Sequence, residues 1–331
     1  MKKLLALLLA GAMVFSVAAC GGSEPAAEES AEASTELNIY MWQQYISDEL
    51  IANFEAENNC KINLSYMSDN ADAINKLTAG GGEEYDLIMT CDAYMESLIA
   101  GGYVEEINLD NVPNSANLND AYWVSKGYCV PYLMNYIYVV YDSATCPIEI
   151  TGYNDLLDPK YRDLISMPNP TSSGTGYMFL LAMVNQRGED EAFAYFDKLS
   201  ENVLQFTSSG SGPVNALIQG EVAIGLGIIG TAVKAINDGA ELEIIFFEEG
   251  APYALYGQGM IKGKDDRPAV KAVFDYLYST YGYLNCENFF PERIYADRTF
   301  TVENYPDNIP YSDMSGDTAA TKDHLLAKWT H

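Results

Sequence analysis

Histidine is nearly absent from this 331-residue chain: the two that occur, His324 and His331, both fall in the tail. The body of the fold therefore has no imidazole to serve as a general base or to ligate a metal. Positive charge is scarce as well, with 18 Lys and Arg against 47 Asp and Glu and a formal net charge of −29 at pH 7. Nucleic acid phosphates and anionic lipid head groups both call for Lys and Arg, so neither is an expected partner. The imbalance bears on solubility and association, and it leaves the chemistry of any pocket open. No GxSxG, HExxH or P-loop pattern occurs, and no histidine is placed beside a candidate nucleophile, so catalysis is not expected. The six cysteines include no CxxC or Cys/His spacing suited to a metal cluster, and no cofactor is expected. Beyond the first twenty residues no apolar run approaches the roughly 20 residues that a bilayer span needs.

What is present begins with MKKLLALLLAGAMVFSVAAC: a basic start at Lys2 and Lys3, an apolar run from Leu4 to Ala19, then a cysteine. This is the pattern of an export signal, too short and wrongly flanked for a membrane span. Its small-small-Cys ending resembles the lipobox of bacterial lipoproteins, which implies cleavage before Cys20 and a diacylglycerol on the Cys20 sulfur. Residues 21–36, GGSEPAAEESAEASTE, contain no large apolar side chain and read as a flexible leash. The organisation expected is thus a signal (1–19), a lipidated Cys20 with its linker (20–36), and a globular, extracytoplasmic body from Leu37 onward. Without Cys20, five cysteines are left, an odd number, so at least one thiol is free. Cys60 and Cys91 are candidates for facing each other across adjacent strands, and buried thiols are the simpler expectation.

The start of the body alternates by period. LNIYMW (37–42), CKINLSYM (60–67) and YDLIMT (85–90) read as strands, and residues 47–58, 69–80 and a stretch ending at Gly101-Gly102 as helices. That order builds a parallel sheet covered on both faces. After a long strand over 127–142, a second α/β unit follows: ITGYNDLLDPKYRDLISM as helix and strand, and VLQFTSSGSGPVNALIQGEVAIGLGII as strand, loop, helix and strand. ELEIIFFEEGAPYALYGQGMIKG then returns toward the first unit, and PAVKAVFDYLYSTYGYLN closes it as a helix. The fold class expected is α/β, two lobes joined by two extended crossings, with lobe I at 37–134 plus 259–331 and lobe II at 135–258. Ligands of such sheets bind at the carboxyl ends of the strands. In lobe I those ends carry Trp42, Gln44, Tyr45, Asp69, Asn70, Asp92 and Tyr94.

Lobe II repeats itself. PNPTSSGTGYMF (168–179) and TSSGSGPV (207–214) each place Ser-Ser-Gly between a strand and an amphipathic helix. A helix start carries unsatisfied N–H groups and about half a positive charge, glycine admits a close ligand, and hydroxyls add neutral donors. Ser172, Ser173, Gly174, Thr175, Ser208, Ser209 and Gly210 therefore form either an anion cradle without Arg or Lys, or a pair of ordinary serine N-caps worth about 1 kcal/mol each.

The run from DPKYRDLISMPNPTSSGTGY through GEVAIGL, with FFEEGAPYALYGQGMIKG and ENYPDNIPYSDMSG, resembles the solute-binding proteins of ABC importers in the ferric iron, aminoethylphosphonate and sugar-phosphate group. IYMWQQYIS, SYMSDNADAINKL and YDLIMTCDAYMESLIAGG are similar to the polyamine-binding branch. The resemblance implies a type 2 periplasmic-binding-protein fold, a monomer that closes on a small solute and presents it to an ABC permease with its ATPase. It also implies a site role for Glu249 and Tyr253 in the EEGAPY motif. Where polyamine binders place carboxylates, this chain has Gln44 and Tyr256, leaving Asp69, Asp92 and Glu249 as substitutes. Ferric binders use adjacent tyrosines, and the 25 tyrosines here include no such pair. Gly230 and Thr231 stand where sugar-phosphate binders carry a His-Asp pair. The solute expected is thus a small organic anion of phosphonate, sugar-phosphate, sulfonate or carboxylate type, with polyamines and ferric chelates as alternatives. A ligand-sensing surface lipoprotein is the alternative to transport.

Overall fold

The computed structural model describes residues 35–42, 48–67, 74–120, 125, 127–142, 150–265, 267–279, 282 and 294–331. The expected signal, Cys20 and all of the leash but its last two residues lie outside them, as do Gln44, Tyr45, Asp69, Asn70, Cys146 and Cys286.

The chain opens with β1 (Thr35–Met41), α1 (Asp48–Asn58), β2 (Cys60–Tyr66), β3 (Leu87–Cys91), α2 (Asp92–Ala100) and the short β4 (Val104–Glu105). β1 pairs in parallel with both β2 and β3. Leu37, Ile39 and Met41 of β1 enter one apolar core while Tyr40 enters another with Ile88, Met95 and Leu98. Burial on alternate faces is what helices on both sides of a parallel sheet require. Cys60 lies on β2 and Cys91 on β3, with β1 between them, and Cys60, Cys91 and Cys129 are all buried.

β5 (Val130–Tyr141) joins the two α/β units. Its first half, to Tyr136, runs antiparallel to β10 (Tyr253–Ile261), and from Ile137 it runs antiparallel to β8 (Ile224–Ile228). Between these come β6 (Ile165–Pro168), α3 (Gly174–Arg187), α4 (Glu189–Ser200), β7 (Val203–Thr207) and α5 (Gly212–Ile218); α6 (Ile229–Asn237) and β9 (Glu243–Ile245) follow β8. β6 is parallel to β7 and β8, and β6 and β8 are buried along their whole length. The strand order is β2-β1-β3-β10-β5-β8-β6-β7. The parallel triplets lie at the two ends, and the antiparallel crossings β5 and β10 lie between them. β10 pairs with β5 from Tyr253 and with β3 from Tyr256, and the expected boundary at 258/259 falls within this strand.

Two local expectations change. The helix expected in ITGYNDLLDPKYRD is two short 3-10 turns, Tyr153–Leu157 and Pro159–Tyr161. Pro159 has no N–H for a continuing α-helix, and Asp158 caps the second turn by accepting from the Lys160 N–H at 3.0 Å. α3 is apolar all round rather than amphipathic, with every residue from Gly174 to Met183 buried. After α7 (Pro268–Tyr276), the tail adds α8 (Ala319–Lys328), which packs against both α2 and α3.

Candidate functional site

The carboxyl ends of the parallel strands converge on one narrow cavity, lined by Trp42, Ser173, Gly174, Thr175, Ser209, Gly210, Ile228 and Tyr256. Trp42 follows β1, Ser173 to Thr175 follow β6, Ser209 and Gly210 follow β7, and Ile228 ends β8. Tyr256 reaches the cavity from β10. Residues of both Ser-Ser-Gly segments thus line one space from adjacent strand ends.

The serines are not caps. Ser173 occupies the N-cap position of α3 and Ser211 that of α5, yet neither side chain makes a capping hydrogen bond. Ser173 is 2% exposed and Thr175 3%. Among the described residues the buried Trp42 indole N–H on the cavity wall has no hydrogen-bond partner. A buried donor without an acceptor costs about 1–3 kcal/mol, so such a group on a cavity wall is unusual in a folded chain. The start of α3 adds the partial positive charge of its helix.

Glycine is required at Gly210. A Cβ there would lie 2.2 Å from Thr175 Oγ1 and 2.9 Å from Ile228 Cγ2, closer than any real contact. The Gly210 carbonyl accepts from the Ile228 N–H at 3.1 Å, which ties the second loop to the end of β8.

The other sequence candidates are distributed differently. Ser172 is half-buried and Ser208 exposed, both beside the cavity wall but outside its lining. Tyr94 is 2% exposed in the first turn of α2, where the Lys322 ammonium of α8 sits 3.6 Å from its ring centroid. Its aromatic face is thus engaged by the tail. Asp92 begins α2 at the end of β3. Glu249 is separated from the loops: its carbonyl accepts from Gln186 Nε2 at 3.2 Å. Gln186 stands twelve residues along α3 from Gly174, about 18 Å at the helical rise. The Glu249 side chain instead borders an open depression with Thr151 and Glu248. Tyr253 packs edge-on against Tyr311 at 5.6 Å.

Sequence reasoning did not include Ile228 or Tyr256 among the site residues. Ile228 had a signal, since it closes the third parallel strand of its lobe, where any side chain is a candidate wall. Tyr256 also had a signal, since it stands where polyamine binders place a carboxylate, and it reaches the cavity because β10 returns to pair with β3.

Among the described residues no helix is long and apolar enough to cross a membrane, and no cluster of His, Cys, Asp and Glu has metal-binding geometry. In sequence the chain is 27% identical over 267 residues to spermidine/putrescine-binding periplasmic protein 1 of Haemophilus influenzae, spanning 76% of this chain and 73% of that one. It is 22% identical over 201 residues to a periplasmic protein of Salmonella typhimurium named for 2-aminoethylphosphonate binding, spanning 59% of this chain and 57% of the relative. In structure it is similar to the periplasmic binding protein AfuA of Actinobacillus pleuropneumoniae, solved with fructose-6-phosphate. That match has a TM-score of 0.77 at 21% identity and covers 89% of this chain and 97% of the other. The fold is the two-lobed type 2 periplasmic-binding-protein fold. The model of the family described as bacterial extracellular solute-binding protein matches residues 83–315, well over half of the chain, and the chain belongs to that family.

Proposed function

We propose that the protein captures a small organic anion, of phosphonate, sugar-phosphate, sulfonate or carboxylate type, in the cavity between Trp42 and the two Ser-Gly loops, and delivers it to an ABC permease. The observation that carries this reading is the donor set on the cavity wall: the unpartnered, buried Trp42 indole N–H beside the hydroxyls of the buried residues Ser173 and Thr175. Neutral donors at a helix start suit an oxyanion, which accepts from all of them at once and needs no Lys or Arg. The lobe II loops hold the head group, and Trp42 with Tyr256 approaches from the other lobe. Contacts made by both lobes exist only when the hinge is closed, and that differential affinity shifts the population toward the closed form. The mature chain is anchored through a lipid on Cys20 and works as a monomer at the outer face of the membrane.

A second reading is a polyamine, favoured by the spermidine/putrescine-binding relatives. It would need carboxylates such as Asp69 and Asp92 to meet the ammonium groups, each charge-assisted bond being worth about 1.5–3 kcal/mol.

Thermal unfolding of the full chain in detergent tests both, with a panel of 2-aminoethylphosphonate, sugar phosphates, sulfonates, carboxylates, spermidine and ferric chelates. A ligand at a hundred times its Kd adds about 2.7 kcal/mol of stability. Stabilisation by an anion that Ser173→Ala weakens supports the anion reading. Stabilisation by spermidine alone refutes it in favour of the polyamine.

A further inference from the structure

Asn169 lies just after β6, outside the cavity lining, and is hydrogen-bonded through every polar group it has. Its N–H donates to the Thr207 carbonyl at 2.8 Å, and its carbonyl accepts from the N–H groups of Ser172 at 3.3 Å and Ser173 at 2.9 Å. Its side-chain Oδ1 accepts from the Thr171 N–H at 2.9 Å and from the Thr171 hydroxyl at 2.7 Å. Its Nδ2 donates to the backbone oxygen of His331 at 3.3 Å. On the far side, the Thr207 hydroxyl donates to the Ser209 carbonyl at 2.9 Å. One residue thus spans the roots of both Ser-Ser-Gly loops.

The segment that meets Asn169 is itself held in three ways. The His331 ring stacks on Phe206 of β7 with centroids 6.3 Å apart, and its Nε2 lies 3.0 Å from Asp197 of α4. The Trp329 indole donates to the same His331 oxygen at 2.9 Å and packs edge-on against Phe196 and Phe206.

From this frame, and resting on the site proposed above, we propose that Asn169 is a positioning residue for solute capture. Residues 329–331 are its strut. They close a network that sets the spacing of the two loops without touching the solute. A cradle of neutral donors gains affinity only if the donors are held in place before the solute arrives, because ordering them on binding would consume the gain. The 329–331 segment docked against Asn169 supplies that order from outside the cavity.

Hydrogen exchange of the full chain in detergent, without added ligand, tests the frame directly. Two variants are compared with the parent: Asn169→Asp, which keeps the Oδ1 acceptor and loses the amide donor, and a chain lacking only His331. In both, exchange in peptides covering 169–176 and 207–214 should rise about tenfold, the scale of one lost hydrogen bond, with β1 and β3 unchanged. A rise in the first loop alone, a uniform rise over the whole chain, or no rise overturns the proposal. Calorimetry with 2-aminoethylphosphonate then separates the two claims. If the parent binds it, the variants should bind about tenfold more weakly, and equal affinity overturns the positioning role. If the parent binds no anion while both loops loosen together, the anion reading fails and the frame stands.

Discussion

Replacing Ser173 with alanine separates a helix cap from a ligand donor, because the two roles predict opposite results in the protein without solute. A serine that caps a helix contributes about 1 kcal/mol, and its loss would lower Tm by roughly 2–4 °C in a chain of this size. The structure predicts otherwise. The Ser173 side chain makes no capping bond, and its residue is 2% exposed. With no capping bond to lose, removal of its hydroxyl should leave stability close to unchanged. With an anionic solute bound, the same hydroxyl donates to a charged acceptor, worth about 1.5–3 kcal/mol. Affinity should then fall at least about tenfold. The assay pairs urea unfolding without solute with calorimetric titration of whichever anion stabilises the parent. A loss near 1 kcal/mol without solute, together with unchanged affinity, would show that Ser173 caps α3 after all and would refute the reasoning.

Other substitutions test neighbouring inferences. Gly210→Ala would place a methyl 2.2 Å from Thr175 Oγ1; it should cost about 1–3 kcal/mol in urea unfolding and abolish anion binding, and a neutral variant would mean that the loop moves freely. Asp86, 1% exposed, is paired with Arg267 and accepts from the Asn38 N–H at 2.8 Å. Arg267→Met should cost about 3 kcal/mol, the low end for a broken buried pair, because Lys264 remains 3.7 Å away; a loss under about 1 kcal/mol would show that Lys264 suffices. Burial pushes the Lys322 amine below the ordinary lysine range. Between its folded value and the unfolded value of about 10.4 the unfolded chain binds more protons, so stability should rise with pH across that window, the desolvation cost being present in full below it. Lys322→Met should lack this rise and be at least as stable as the parent at pH 7. Parallel curves of urea midpoint against pH for the two proteins would contradict the assignment.

Much of the chain was legible because it depends on local periodicity. Strands β1, β2 and β3 lie within a residue or two of their sequence-based bounds, since alternating and continuous apolar runs report burial directly. The doubled Ser-Ser-Gly was legible for a similar reason: glycine and serine between a strand and a helix have few structural uses, and two copies in one lobe must face the same end of a sheet. The 3-10 turns at Tyr153–Leu157 and Pro159–Tyr161 were not legible, because a proline near the start of a helix pattern is compatible with both outcomes.

By itself, then, the sequence determined the α/β class, the two repeated units and the loops that form the cavity, all consequences of pattern within a few tens of residues. Tertiary structure alone decided which candidates share the cavity. Glu249 leaves it because α3 is long enough to carry the two ends of one lobe apart. Tyr94 is engaged by Lys322 and Tyr256 arrives on β10, because segments far apart in sequence pack together only once both lobes have formed. The docking of His331 on Asn169 joins residues 162 positions apart, a contact set by packing against Phe196 and Phe206 that no local rule encodes.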